Sequence, residues 1–187
     1  SQTIGAVTLA GSVALAGGGG TGLAVGGSGV LALNMTSADV KAFIDGTALA
    51  GSTELGDKIL ANDLSLVAGD TSTITALVGA GSIAASVGST GVSVAIGVSF
   101  AHNMITSDVA SYIAYMDQDA NNGDNGIDVS GDISVTADEK SVINVVSAAA
   151  AVGAAFGSTG VAVSGAGAEA SNIILTKTNA YIQGSTI

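Results

Sequence analysis

From Val92 to Ala101 the chain alternates without a break. Val92, Val94, Ile96, Val98 and Phe100 fall on one side, and Ser93, Ala95, Gly97, Ser99 and Ala101 on the other. A period of two in β-branched company predicts a strand with one bulky face and one flat, small-residue face. The flat face, carrying Ser93, Ala95, Gly97 and Ser99, suits close packing against another sheet or laterally against a neighbouring chain. Upstream, DLSLVAGDTSTITALV (63–78) alternates in the same way through Leu64 and Leu66, then Thr73 and Thr75, and predicts another strand. A small-residue segment, GAGSIAASV (79–87), and a Gly-Ser-Thr-Gly turn (88–91) separate the two. Glycines at such a turn can supply the positive φ that other residues avoid. Beyond Asn103, MITSDVASYI leads to a polar loop (114–131), and VASYI with its counterparts fits a short helical turn.

This pattern occurs three times. An offset of 69 residues lays Gly19–Ile44, Gly88–Ile113 and Gly157–Ile182 over one another without a gap. The turn glycines Gly22, Gly91 and Gly160 then coincide, as do Asn34, Asn103 and Asn172, and Phe43, Tyr112 and Tyr181. Ala-rich SAAAAVGAAF (147–156) has helical propensity. Its aligned counterparts, GSVALAGGGG and GSIAASVG, do not, and copies of one repeat share one structure, so strand is expected throughout. A fixed period of strands and glycine turns predicts an all-β fold, a β-solenoid (β-helix) built from 69-residue repeats. Residues 1–187 would form a single solenoid segment, with units at approximately 1–62, 63–131 and 132–187. Three windings per unit would give rungs of about 23 residues. The last unit breaks off at Ile187, so the chain reads as an excerpt, and open solenoid ends favour end-to-end self-association.

Composition narrows the function. Aromatic residues are 3% of the chain, and Ala and Val dominate the 48% that is hydrophobic, so any core must be thin and repetitive. The net charge is −11, with Lys41, Lys58, Lys140 and Lys177 as the strong bases. That leaves no basic footprint for nucleic acid and disfavours anionic membrane surfaces. The uncharged run 147–168 is long enough to cross a bilayer, yet Gly-Ser-Thr-Gly lies at its centre, so no transmembrane segment is expected. Without cysteine there is no disulfide and no thiolate metal site.

Two polar patterns carry candidate chemistry. Asn34, Asn103 and Asn172 recur at one register position, which suits a structural ladder of stacked amides. The loop Asp117–Asp128, DQDANNGDNGID, presents Asp117, Asp119, Asn121, Asp124 and Asp128, oxygen donors in an order similar to an EF-hand, which makes Ca²⁺ the expected cation. It departs from that motif at Asn122, where glycine is usual, at Asp124, where an aliphatic is usual, and at Asp128, which replaces glutamate. The equivalent loop at 45–62 lacks the pattern. His102, the single histidine, aligns with Leu33 and Ser171 and reads as structural. Asp39 and Asp108 align with Lys177, which breaks any repeated carboxylate pair. No serine has a recurring histidine partner, and GGGGTG (17–22) lacks the lysine of a phosphate loop, so no enzyme is expected.

The motifs G-x-T-G-V-x-V (Gly88–Val94 and Gly157–Val163), N-x-(I/T), V-A-x-Y-I and N-A-Y-I together resemble the repeat regions of giant secreted or surface-displayed bacterial β-solenoid proteins, the hemagglutinin- and leukotoxin-like adhesin shafts. The resemblance implies an extracellular or cell-surface location and a structural or adhesive role as a fibre or stalk. The alternatives are a calcium-dependent glycan- or surface-binding module, and the passenger of a pore-forming toxin. An ice-binding face is a weaker reading, because the only recurrent threonine is that of the turn.

Overall fold

In the computed structural model, residues 1–46, 59–116, 126–185 and 187 are described. Among these described residues eight strands follow in order: β1 (Gln2–Gly17), β2 (Thr21–Asp45), β3 (Ile59–Ala61), β4 (Leu64–Val87), β5 (Thr90–Ala114), β6 (Ile127–Val129), β7 (Ile133–Phe156) and β8 (Thr159–Gln183). They form three parallel sheets, ordered β1-β4-β7, β2-β5-β8 and β3-β6. The two long sheets face each other, and the short one sits where β2 and β5 end and β4 and β7 begin. The fold is therefore an all-β solenoid of stacked parallel strands.

Each coil is much longer than the sequence pattern predicts. Thr21 pairs with Thr90 and Thr90 with Thr159, so one 69-residue unit completes one rung, not three. The small-residue segment 79–87 does not end a strand but completes β4. Strands of 24 and 25 residues replace the expected short ones, and at ~3.3 Å per residue each runs ~80 Å. Val109–Ile113, the expected helical turn, lies within β5 for the same reason: Val109, Ser111 and Ile113 continue the alternation and are fully buried.

The connections between facing sheets are tight and stay in the ladder. Gly18 N–H donates to Val87 O at 3.1 Å and Gly88 N–H to Phe156 O at 3.0 Å. The first turn contains one residue more than the others, since Gly17 pairs with Val87 while Thr21 pairs with Thr90. The Ser89 hydroxyl donates to the carbonyls of Gly19 and Gly20 at 3.2 and 3.0 Å, which holds the extra glycine in place.

Gly22, Gly91 and Gly160 serve another purpose than the one their sequence suggests. Positive φ among the described glycines occurs at Gly126 and Gly184, not at these three. They lie at the start of β2, β5 and β8, where the facing backbone is too near for a side chain. A methyl on Gly22 would sit 2.8 Å from Val87 O, and one on Gly160 2.8 Å from Ala155 O.

The core is a seam between the two long sheets, with small side chains toward the turns and larger aliphatic ones toward the far end. Ala24, Ala84 and Ala95 form its cluster near the turns, and Ala32, Ala76, Val78 and Ala101 the next one along. Ser93, Ala95 and Ser99 are fully buried there, so the flat face of β5 packs on the facing sheet within the chain and offers nothing to a neighbouring chain. Along this part of β5 the bulky residues, Val92 to Phe100, face outward instead, whereas further from the turns Ile105, Val109 and Ile113 point inward.

Candidate functional site

Inside the seam, stacked polar groups join the rungs. Asn34, Asn103 and Asn172 share one inward row. Asn34 Nδ2 donates to Asn103 Oδ1 at 2.8 Å, and Asn103 Nδ2 donates to Asn172 Oδ1 at 2.9 Å. Asn103 is fully buried, and the ladder ends on the Asn34 carbonyl oxygen at one side and the Asn172 amide nitrogen at the other.

Asp70 is an interior charge that the sequence pattern alone did not single out. It is 4% exposed, and its Oδ2 accepts from Ser72 at 2.7 Å and from Ser107, across the seam, at 3.1 Å. Burial pushes its carboxyl up. The two hydroxyls, the Ser1 ammonium 3.8 Å away and the Thr71 backbone together outweigh that effect and hold it below the ordinary value. Its register neighbour is Glu139, which accepts from Ser141 in the same way. An acidic residue at an inward position of an alternating strand, repeated one unit later, was the available signal. These carboxylates tie hydroxyls into the seam, as do the bridges Ser99 to Ser147 at 2.9 Å and Ser111 to Leu66 O at 3.1 Å. Thr36 donates to Gln2 Oε1 close by.

Outside, Phe43, Tyr112 and Tyr181 stack with ring centroids 5.2 and 5.1 Å apart. A groove of about 560 Å³ runs beside Asp39, Asp108 and Lys177. Lys177 Nζ lies 3.6 Å from Asp108, and Lys41 Nζ 2.9 Å from Asp39, which raises the affinity of Lys41 for its proton. His102 stands on the outer face of β5 between Leu33 and Ser171.

Of the acidic-loop candidates, Asp128 lies in β6 opposite Leu60, beside a groove lined by Asn62 and Ser130. Asp117, Asp119, Asn121 and Asp124 lie outside the described residues. Among the described residues no three His, Cys, Asp or Glu side chains converge as metal ligands, and no helix is long and apolar enough to cross a membrane. What this arrangement does chemically is stack: each rung presents to the next the groups it received from the last. The chain matches no protein-family model, no curated protein and no solved structure.

Proposed function

We propose that this chain is a structural module, a solenoid segment of the fibre or stalk of a giant extracellular bacterial protein. The observation that carries the reading is the complementarity of its two outer edges. Where β8 offers the Asn172 amide nitrogen, the Tyr181 ring and the Lys177 ammonium, β2 offers at the same register the Asn34 carbonyl oxygen, the Phe43 ring and the Asp39 carboxylate. A further unit laid over β8 repeats the contacts β5 makes with β8. Such head-to-tail stacking does not close on itself, and each added interface stabilises the array. The extracellular and adhesive parts of the proposal rest on the resemblance of the G-x-T-G-V-x-V and N-A-Y-I motifs to adhesin shafts.

Negative-stain electron microscopy, with and without calcium, tests the reading. The expected particles are ribbons ~80 Å wide, the strand length, growing by ~4.8 Å per rung. Compact particles that never elongate at any concentration would remove it. A calcium-dependent change in ribbon formation, lost when Asp117 and Asp119 are replaced by Asn, would assign the Asp117–Asp128 loop as a cation site.

A further inference from the structure

The outer face of the β1-β4-β7 sheet is apolar to a degree that a solvated surface does not need. Val7, Leu9, Val13 and Leu15 of β1 are 70%, 69%, 69% and 77% exposed. From Val7 to Gly17, and at the paired positions of β4 and β7, each outward residue is Gly, Ala, Val, Leu, Ile or Phe. The face also has relief. Val13, Ile83 and Val152 stack into a ridge, and the adjacent row, Gly11, Gly81 and Ala150, is a groove of about 410 Å³.

We propose that this face is a dry interface with a second copy of the chain, related by a two-fold axis parallel to the stacking direction. Rotation about that axis reverses the strands and preserves the rungs. The ridge of each copy then enters the groove of the other, Val13 against Gly11, Ile83 against Gly81 and Val152 against Ala150.

Area favours this occupant. Eleven outward-and-inward positions on three strands cover roughly 33 by 14 Å, so two copies bury about 1,000 Å², the lower bound for a specific interface. Each further rung adds about 300 Å², so pairing strengthens as the stack grows. For that growth the inference rests on the shaft reading; for the interface itself it does not. The opposite outer face fits a second copy less well. There the row Leu31, Phe100 and Glu169 would bury a carboxylate, at the cost an unpaired charge carries in an apolar contact.

The test is Gly81→Leu. A Cβ at Gly81 meets nothing within 4 Å, so a leucine there starts from open space on the groove floor. Sedimentation and microscopy of the wild type are expected to show two-fold pairs and doubled ribbons. Gly81→Leu, and independently Ile83→Lys, should weaken pairing at least tenfold with an unchanged circular dichroism spectrum. Val94→Lys, on the opposite sheet, should leave pairing intact. Wild-type chains that stay single, or variants that pair as well as the wild type, overturn the inference. So does a wild type that floats with phosphatidylcholine vesicles and never pairs, since that identifies the occupant as lipid. Pairs that form and are lost in Gly81→Leu, with no ribbons at all, uphold this interface while the shaft reading fails.

Discussion

The two ends of the long seam are built on different scales. Near the turns, the facing strands are close enough that a methyl on Gly26 would lie 2.9 Å from Ile83 O, and one on Gly97 2.7 Å from Ala150 O. Glycine, alanine and serine are the side chains that fit between them. At the far end, Leu66, Ile113, Met116 and Ile127 form a conventional aliphatic cluster, with Ile44, Ile59 and Val135 packed around it. The short β3-β6 sheet closes that end. Ordinary facing sheets stand ~10 Å apart, and the approaches at Gly26 and Gly97 leave room there only for the smallest side chains. The difference teaches that a single strand can hold two kinds of core, a backbone-on-backbone zipper and an oil-like pocket, provided side-chain size is graded along it.

The sharpest way to break this comparison is Gly97→Val. The valine cannot turn away from the Ala150 carbonyl, and overpacking a site walled by backbone should cost about 3 kcal/mol or more. Urea unfolding followed by circular dichroism measures it; a loss under 0.5 kcal/mol would show the narrow end to be looser than described. Ile113→Ala tests the wide end with the opposite change. Truncating the fully buried isoleucine beside Leu66 and Met116 should lower stability by about 3 kcal/mol, whereas the one-carbon deletion that the narrow end permits, Ala95→Gly, should cost about 1 kcal/mol.

Between the ends stands the amide ladder. Asn103→Leu leaves the Asn34 and Asn172 amides without their partner, and about 2 kcal/mol should be lost. Thermal melting that does not change would show the stack to be incidental. The smallest effect is expected at Asp70, and it depends on pH. Its folded-state carboxyl is held below the ordinary value, so its contribution is present above the unfolded pKa, about 3.9. That contribution disappears as pH falls through the folded value. Wild-type stability should therefore decline more steeply than that of Asp70→Asn as pH drops below about 4. Parallel urea midpoints for the two proteins from pH 6 to pH 2 would show that Asp70 does not contribute.

Much of the fold was legible in the chain. The alternation from Val92 to Ala101 marked a strand and separated its two faces, and the 69-residue offset matched the register that pairs Thr21, Thr90 and Thr159. The pattern did not say which face is inside. The usual preference of bulky apolar residues for the interior points to the wrong one here, because Val92, Val94 and Ile96 face outward while Ser93 and Ala95 are buried. Nor did it show the length of a rung, since Gly79 and Gly81 look like interruptions until pairing with Ala148 and Ala150 carries the strand through them. The candidate site divided in the same way. The three asparagines could be aligned from the sequence, whereas the bond from Ser107 to Asp70 joins residues 37 positions apart on facing sheets, and no local pattern connects them.

By itself, then, the sequence determined the strands, their two-faced character, the repeat and the thinness of any core, because these follow from periodicity and side-chain volume. Only the tertiary structure decided that one unit makes one rung, that the small face is the inner one, and that the turn glycines answer to an approaching backbone and not to φ. The physical reason is common to all three. How far apart two sheets stand is set by the side chains of both, and a strand read alone carries only half of that information.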